Sequence, residues 1–294
     1  MAYELASYEP ENRDDYLRLL EEAWGDLALP GDEFDWWFRD NRVGSLMSVA
    51  RMDGRIVGVA SHSLFHMVLG GEEQLASFSV HATTDAAARG QGIFEALERK
   101  HEEEAEQRGV AVVLAFASDP TAPIFLGPLG WTEIGRLRVW ARPHPRLRFS
   151  SGPIARIERF RHAGDAGKDW SNHIVRDARY LNWRYFESPR DYEAYALAGS
   201  YVVLGHKEHR GVPLAYVADL VGNPRVLLRV CLANVDPGAR ALVAIPPREH
   251  RLAYASVGFL PTKTTLRLMG KPLAGKLDTN PRAWRFTLGD TDFF

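Results

Sequence analysis

Six consecutive residues of the chain are suited to bind a phosphate group. They read Arg-Gly-Gln-Gly-Ile-Phe at positions 89–94, between a predicted strand at 75–80 and a predicted helix at 93–108. Gly90 and Gly92 let the backbone turn tightly, so that N–H groups of the first helical turn point outward. These donors and the positive end of the helix dipole attract a phosphate or a diphosphate.

Other phosphate-binding motifs do not fit this loop. A Walker loop needs Gly-Lys-Ser/Thr, which does not follow Gly92, and a dinucleotide-binding fold needs a third glycine where the chain has Glu95. The loop instead resembles the acyl-CoA site of the GNAT superfamily of N-acyltransferases, whose pattern is Gln/Arg-x-x-Gly-x-Gly/Ala. Phe94 departs from that pattern at its last position. An ordinary glycine-rich connection is the alternative interpretation.

The resemblance covers about residues 1–140 and implies acetyl-CoA, or another acyl-CoA, as cofactor. In the family, the strand before the loop binds the pantetheine arm through its backbone, the loop binds the diphosphate, and the next strand splays away to admit an amine. The cofactor-binding residues implied for this chain are Phe78, Ser79, Val80, Arg89, Gly90, Gln91, Gly92, Ile93 and Phe94. The implied reaction is direct attack of a neutral amine on the thioester, helped by a backbone N–H, a base and an acid.

The family's usual acid is a tyrosine four residues before a Gly-aromatic pair, and the first half of this chain departs from it. Leu126 occupies that position before the pair at 130–131, and its neighbour Phe125 has no hydroxyl either. In the second half, Tyr254 stands four residues before Gly258. Packing in a core is the alternative role for Tyr254, and the favoured one.

Two side chains of the first half are candidate catalytic groups. The base must take a proton from an alkyl ammonium group, whose pKa is about 10. His81 follows the predicted pantetheine strand and has a suitable imidazole, although a structural role at the strand end is the alternative. Asp119 follows an apolar run, and a simpler role for Ser118 or Asp119 is to cap a helix with Pro120 at its first position.

The C-terminal residues support a further hypothesis. Apolar and polar residues alternate at 284–288, which predicts a strand. Asp290, Asp292 and the C-terminal carboxylate of Phe294 follow it. Some tandem relatives place a C-terminal carboxylate in the acceptor site, so the resemblance implies that one of these groups is the base. A frayed acidic end is the alternative.

The two halves of the chain share landmarks in the same order, which indicates a tandem duplication. Each half has a tryptophan-led helical segment, a hairpin and a Gly-aromatic pair, and the hairpins are predicted to turn at residues 53–54 and 210–211. The second half supplies no phosphate cradle after its hairpin, where Gly222 is followed by Asn223 and Pro224. A further helix is predicted at 165–173.

The predicted architecture is α/β, with two GNAT-like domains in tandem. Each is expected to be a mixed, mostly antiparallel sheet flanked by helices. Residues 1–148 form the acyl-CoA-binding domain, and residues 149–294 form a second, degenerate domain with the C-terminal tail. The junction is placed within residues 143–153, where prolines and serines cluster.

The composition limits the partners of the protein. A formal net charge of -2 gives no basic field for nucleic acid, and no apolar run is long enough to span a membrane. A single cysteine, Cys231, is expected to pack in a core and fits a reducing compartment. The N-terminus lacks a signal peptide, so the predicted location is the cytoplasm. No metal-binding motif is present in the sequence.

The sequence therefore predicts an N-acetyltransferase that acts on a primary amine of a small molecule. Amino sugars and nucleotide-linked sugars are examples, because arginines between residues 136 and 148 can bind an anion. A non-catalytic acyl-CoA-binding or regulatory protein of the same fold is the alternative, suggested by the missing tyrosine. An aminoacyltransferase that uses charged tRNA is disfavoured by the near-neutral charge. The pattern specifies neither the acceptor, nor the acyl length, nor the oligomeric state.

Overall fold

The computed structural model describes residues 3–143, 154–162, 170–197, 199–209 and 211–291 of the 294-residue chain. Packing divides the chain into two units. The first unit consists of Met1–Met67, Glu73–Gly135 and Arg267–Thr279, and the second unit consists of Val68–Glu72, Arg136–Leu266 and Asn280–Phe294. The predicted junction between residues 148 and 149 lies outside the described residues and stays a prediction.

The first unit is a mixed sheet flanked by helices. Its elements are β1 (Glu4–Ser7), α1 (Arg13–Trp24), α2 (Gly31–Phe34), β2 (Ser45–Met52), β3 (Arg55–Leu69), β4 (Glu72–Thr84), α3 (Ile93–Gln107), β5 (Val112–Ala117), α4 (Ala122–Leu126) and the start of β6 (Thr132–Pro143). Strands β1, β2 and β3 pair antiparallel, whereas β4 and β5 pair in parallel. Residues 267–272, from near the end of the chain, pair antiparallel with β5.

Helix α3 is bounded by two glycines, and it ends one residue before the predicted end at 108. Gly92 precedes it with φ 77° and Gly109 follows it with φ 75°, the left-handed conformation that favours glycine. Ile93 and Leu97 are buried on its inner face. Gly58 on β3 gives Ile93 the room it needs, because a Cβ at position 58 would lie 2.6 Å from the Ile93 side chain. The start of α3 is thus held close to the sheet.

The second unit repeats the same kinds of element. They are β7 (Ala155–Ile157), β8 (Asn172–Ile174), α5 (Ala178–Tyr185), β9 (Tyr192–Leu197), β10 (Ser200–His209), β11 (Val212–Val221), α6 (Pro224–Asn234), β12 (Ala241–Ala244), α7 (Arg251–Ser256) and the start of β13 (Leu260–Pro272). Strands β7, β9, β10 and β11 pair antiparallel, and β11 and β12 pair in parallel. Residues 140–143 of β6 pair antiparallel with β12.

The order of elements confirms the predicted tandem architecture. The first unit runs β3, β4, α3, β5, α4, β6, and the second unit runs β10, β11, α6, β12, α7, β13. In each run a helix connects two parallel strands, and a short helix then precedes a long antiparallel strand. The second unit is reduced, since α6 has 11 residues and α3 has 15. No helix in the described parts of the chain is long and apolar enough to cross a membrane.

Two helix predictions are corrected by the structure. Helix α4 begins at Ala122 without a side-chain cap, so neither Ser118 nor Asp119 is its N-cap. The Ala122 amide donates to the Ser118 carbonyl at 2.9 Å, and residues 119–121 form a turn ahead of the helix. The helix predicted at 165–173 is also wrong at its end, because Asn172–Ile174 form β8. Residues 165–169 lie outside the described residues.

The strand predicted at 284–288 is not formed. Trp284 makes an isolated bridge with Asn172, and a 3₁₀ turn follows at Leu288–Asp290. The alternation is misleading because the polar residues of this segment are buried as well. The guanidinium of Arg285 donates to the Leu220 carbonyl at 2.9 Å, and the Thr287 amide donates to Asp290 at 2.7 Å.

Candidate active site

The loop before α3 leaves backbone donors exposed. Gly90 and Gly92 have φ values of 79° and 77°, and a Cβ added at either would meet no atom within 4 Å. No side chain caps the N-terminus of α3. In the described residues, no group accepts a hydrogen bond from the backbone amides of Gly90, Gln91 or Gly92. An anion can therefore reach these amides, and the helix dipole adds to the attraction.

Side chains at both ends of this loop hold it in place. The Nε of Arg89 donates to the carbonyl of Thr84 at 3.2 Å, where β4 ends. The ring of Phe94 packs edge-on against Phe125, with ring centroids 5.5 Å apart, and joins an apolar cluster that includes Trp131. Phe94 departs from the family pattern without disturbing the loop, because its side chain packs against the core cluster.

Strands β4 and β5 separate near the middle of β4. Their parallel pairing runs from Ala76 opposite Val112 to Ser79 opposite Ala115, although β4 continues to Thr84. The edge of β4 that pairs with β5 therefore diverges from it beyond Ser79. Phe78 is buried just before the separation, whereas Ser79 and Val80 are half-buried.

His81 is strained at the point where the strands have separated. Its φ of 49° lies in the left-handed region, which costs a non-glycine residue on the order of 1–3 kcal/mol and is common at functional sites. Two hydroxyl groups hold this conformation: Ser61 donates to the Val80 carbonyl at 2.8 Å, and Tyr16 donates to the His81 carbonyl at 3.3 Å. Burial raises the pKa of Tyr16, which therefore keeps its proton as a donor.

The imidazole of His81 lies in an aromatic environment. Its ring makes edge contacts with Trp24 and Phe38, at centroid distances of 5.8 and 5.9 Å. Phe38 is buried, whereas Trp24 is 37% exposed and leaves an apolar surface beside the histidine. His81 itself is half-buried between these two rings.

The other first-unit candidates lie near the end of β5 or follow it. Asp119 is exposed and its carboxylate accepts from Arg267 at 2.9 Å, so that it forms a surface ion pair. Phe125 is buried, and Leu126 is 45% exposed on α4. The exposed position at which the family places a tyrosine hydroxyl is therefore apolar. Ser118 and Thr121 do bring two hydroxyl oxygens within 2.9 Å of each other before α4.

Tyr254 and Asp290 lie inside the second unit. Tyr254 is 2% exposed in a core cluster with Cys231 and Phe259, and burial raises the pKa of its phenol. This position favours packing for Tyr254. The carboxylate of Asp290 is also buried, and it accepts from Arg176 at 2.6 Å and from the backbone and hydroxyl of Thr287. Asp290 is thus engaged in structure, so the hypothesis that it is the base is not supported.

The remaining tail candidates, Asp292 and the Phe294 carboxylate, lie outside the described residues, and their role stays a prediction. The segment before them is fixed in the second unit. Arg176 also pairs with Asp219 at 2.8 Å, and Arg184 donates to the backbone carbonyls of Gly289 and Thr291. All of these groups are buried.

Within the residues that the structure describes, the second unit has no open helix start equivalent to that of α3. Helix α6 follows β11 in the corresponding place, but the side chain of Asn223 accepts from the Arg225 amide at 3.0 Å and caps it. Gly222 is crowded, since a Cβ there would lie 2.2 Å from the Ser200 hydroxyl. The predicted lack of a phosphate cradle therefore has a physical basis.

The sequence alone did not reveal a set of buried polar groups on the inner face of α3. Glu98, His101 and Glu102 are buried there, together with His62 on β3 and Ser77 on β4. Burial, followed by the charges of His62 and Lys100, lowers the pKa of His101 well below its usual value. The available signal was helical spacing, because residues 98, 101, 102 and 105 follow the i, i+3, i+4, i+7 pattern.

Comparison with known proteins agrees with this arrangement. Residues 4–134 match the family model of the acetyltransferase (GNAT) domain. No curated protein has a sequence that matches the chain. Among solved structures, a GCN5-related N-acetyltransferase from Kribbella flavida aligns with a TM-score of 0.66 at 18% identity, covering 92% of this chain and 72% of that one.

Two further structures have the same fold over most of this chain. A tandem GNAT protein from the clavulanic acid biosynthesis pathway aligns with a TM-score of 0.64 at 15% identity, covering 94% of this chain and 100% of that one. The N-myristoyltransferase of Saccharomyces cerevisiae with bound myristoyl-CoA aligns with a TM-score of 0.64 at 9% identity, covering 91% of this chain and 82% of that one. These likenesses, with the domain match, confirm the resemblance to tandem GNAT proteins.

Proposed function

We propose that this chain, in which residues 4–134 form a GNAT acetyltransferase domain, is an acetyl-CoA-dependent enzyme that acylates a primary amine of a small molecule. The domain and fold support acyl transfer from acyl-CoA in general. The main observation in favour is the uncapped, glycine-bounded start of α3, which follows strand β4 and leaves its amides open.

The residues present fit an acyl-CoA cofactor. The diphosphate would accept hydrogen bonds from amides of residues 90–94, where negative charge is favoured by the helix dipole. The pantetheine arm, which has amide groups of its own, would pair with the backbone of Phe78, Ser79 and Val80 where β4 separates from β5. The thioester would then lie near the strained His81.

The proposed chemistry is acyl transfer without a covalent enzyme intermediate. The nitrogen of a neutral amine attacks the thioester carbonyl carbon, and an N–H of β4 stabilises the negative oxygen of the tetrahedral intermediate. The C–S bond breaks as the amide forms, and the amine nitrogen loses one proton to a base. His81 is our first candidate for the base, with the carboxylates of Asp292 and Phe294 as the second.

The leaving thiolate does not require a strong acid. A thiol has a pKa near 8.5, whereas an alkyl ammonium has a pKa near 10, so the thiolate is less basic than the attacking amine and can leave without being protonated first. A positioned acid typically contributes about 10²–10⁴-fold. An enzyme with Leu126 in place of the family's tyrosine can therefore be active at a reduced rate, with protonation of the thiolate by solvent.

Thiol release from acetyl-CoA, measured with a panel of primary amines between pH 6 and 9, tests the proposal. We expect kcat/KM to rise up to about tenfold per pH unit, because the free-base fraction of the amine does so below its pKa. The N,N-dimethyl analogue of each amine is the matched control and gives no stable amide. A rate that falls above neutrality while the protein stays folded would argue against amine acylation.

Removal of residues 292–294 distinguishes the two candidate bases. This change keeps Asp290 and the segment that it anchors. A loss of kcat with unchanged affinity for acetyl-CoA would assign the base to the tail. Full activity, combined with a loss in His81→Ala, would assign it to the histidine.

A non-catalytic acyl-CoA-binding protein is the second candidate. It is favoured by the absence of a hydroxyl at Phe125 and Leu126. Binding of acetyl-CoA at micromolar concentration, without amine-dependent thiol release from any member of the panel, would support this function over the enzyme.

A further inference from the structure

Helix α3, whose start forms the proposed diphosphate site, is attached to the sheet by polar bonds as well as by apolar packing. Each bond from its inner face reaches a different partner. His101 contacts the Ser48 hydroxyl on β2 at 3.0 Å. Glu102 accepts from Trp131 and from Lys271, both at 2.6 Å. Glu98 is bonded to β3 and β4.

The carboxylate of Glu98 is connected to β4 by two routes. Its Oε1 accepts from the Ser79 hydroxyl at 2.8 Å. Its Oε2 lies 2.9 Å from His62 Nε2, and His62 Nδ1 lies 2.7 Å from the Ser77 hydroxyl. Glu98, His62 and Ser77 are fully buried. Both ends of this network therefore lie on the strand segment that precedes and includes the β4–β5 separation.

Burial of a carboxylate costs free energy unless the carboxylate is hydrogen-bonded. The role of this network is therefore not to replace the stability that apolar packing gives. Apolar contacts are non-directional and allow a helix to shift along a sheet. Hydrogen bonds have narrow distance and angle preferences, so they fix the position of one element against another. Here they fix the start of α3 against residues 77–79 of β4.

We propose that Glu98, with His62, Ser77 and Ser79, is a positioning network that sets the distance between the diphosphate site and the acyl-binding strand. The inference rests on the proposed function, in which one acyl-CoA molecule contacts both places. None of the four side chains takes part in the chemical step. A misplacement of about 1 Å between bound groups can lower a rate by about 10²-fold, so the network acts on kcat.

Ser79→Ala is the test variant, and Ser48→Ala is its matched control. Each removes one hydrogen bond between a strand serine and a polar group of α3, part-buried at Ser79 and buried at Ser48, but Ser48 is on β2. We expect both variants to lose similar thermal stability. Ser79→Ala should lower kcat for thiol release at least tenfold and raise the Kd for coenzyme A by a smaller factor, because contacts to the strand weaken while those to the diphosphate persist. Ser48→Ala should keep the kcat of the wild-type protein.

Glu98→Gln and Glu98→Ala form a second pair. A glutamine at this position can still accept a hydrogen bond from Ser79 and donate one to His62. Glu98→Gln should therefore retain most of kcat. Glu98→Ala loses both routes to β4, and its kcat should fall at least as far as that of Ser79→Ala. Equal kcat values for Ser79→Ala and Ser48→Ala, or for glutamine and alanine at position 98, would overturn the network while leaving the proposed function intact.

Hydrogen exchange on coenzyme A binding gives a readout without turnover. In the wild-type protein, coenzyme A should protect the amides of both 90–94 and 78–82. In Ser79→Ala, protection of 90–94 should persist and protection of 78–82 should decrease. Unchanged protection at 78–82 would contradict the network, and failure of the wild-type protein to bind coenzyme A would overturn both this inference and the proposed function.

Discussion

Replacement of Gly92 by alanine is expected to weaken coenzyme A binding more than it destabilises the protein. The φ of 77° costs an L-residue about 1–2 kcal/mol, and the added Cβ meets no atom within 4 Å. Relief of that strain rotates the amides that face the proposed diphosphate. Loss of one hydrogen bond to a charged group costs about 1.5–3 kcal/mol, which corresponds to about a 10- to 150-fold increase in Kd.

Gly109→Ala is the matched control for this prediction. Gly109 has a φ of 75° and equally open space, but it lies at the opposite end of α3. Strain of 1–2 kcal/mol should lower Tm by about 2–8 °C in both variants. The end of a helix presents carbonyls rather than amides, so Gly109→Ala should bind coenzyme A as the wild-type protein does.

Isothermal titration calorimetry with coenzyme A and with pantetheine measures the effect. Pantetheine lacks the diphosphate, so its affinity should be nearly the same for Gly92→Ala and for the wild-type protein. Normal binding of coenzyme A by Gly92→Ala, or an equal loss of affinity in Gly109→Ala, would refute a diphosphate site at the start of α3.

Four further predictions concern mainly the second unit. Tyr254→Phe should keep kcat unchanged, because the phenol is buried in a core; a large loss in thiol release would restore its role as the acid. Arg176→Met should lower the free energy of unfolding by about 3–5 kcal/mol in urea titrations, because it leaves two buried carboxylates without their partner. Burial, with the charges of two nearby arginines, lowers the pKa of His173 from 6.5 to about 4. The unfolded state therefore binds the proton first as pH falls from 6.5 to 4, and stability drops there; His173→Asn should reduce this slope by up to about 1.4 kcal/mol per pH unit. Calorimetry should also give one coenzyme A per chain, because Asn223 caps the only corresponding helix start among the described residues; two equivalent sites would contradict this.

The sequence predicted the proposed cofactor site because that site depends on local backbone rules. Glycines at 90, 92 and 109 determine where α3 begins and ends, and the apolar run at 110–117 becomes β5. The hairpin of the second half turns at Gly211, as predicted. Such features depend on residue type and spacing within a short segment. The repeat of these segments was sufficient to predict two similar halves.

Long-range contacts explain what the sequence did not predict. Glu98 and His101 are charged or polar residues in a helix rich in glutamate, and such residues usually face solvent. They are buried because partners on β2, β3 and β4 satisfy them, and those partners are separated from them by 19 to 53 positions in the chain. The segment at 284–288 was misread for the same reason: Arg285 is buried against Trp170 and Leu220, which are far away in sequence.

The two halves differ most clearly at one helix start, and this difference bears on function. A helix start has backbone donors that need partners, and in α6 the Asn223 side chain supplies one. In α3 the corresponding position is glycine, which supplies none, and His81 on the preceding strand is strained as well. Both features raise the free energy of the folded first unit when no ligand is bound. A ligand present at 100 times its Kd stabilises the folded state by about 2.7 kcal/mol, which is comparable with the strain of about 1–3 kcal/mol at His81. We therefore propose the open amides and the strained histidine as features of a site that an anionic ligand would complete.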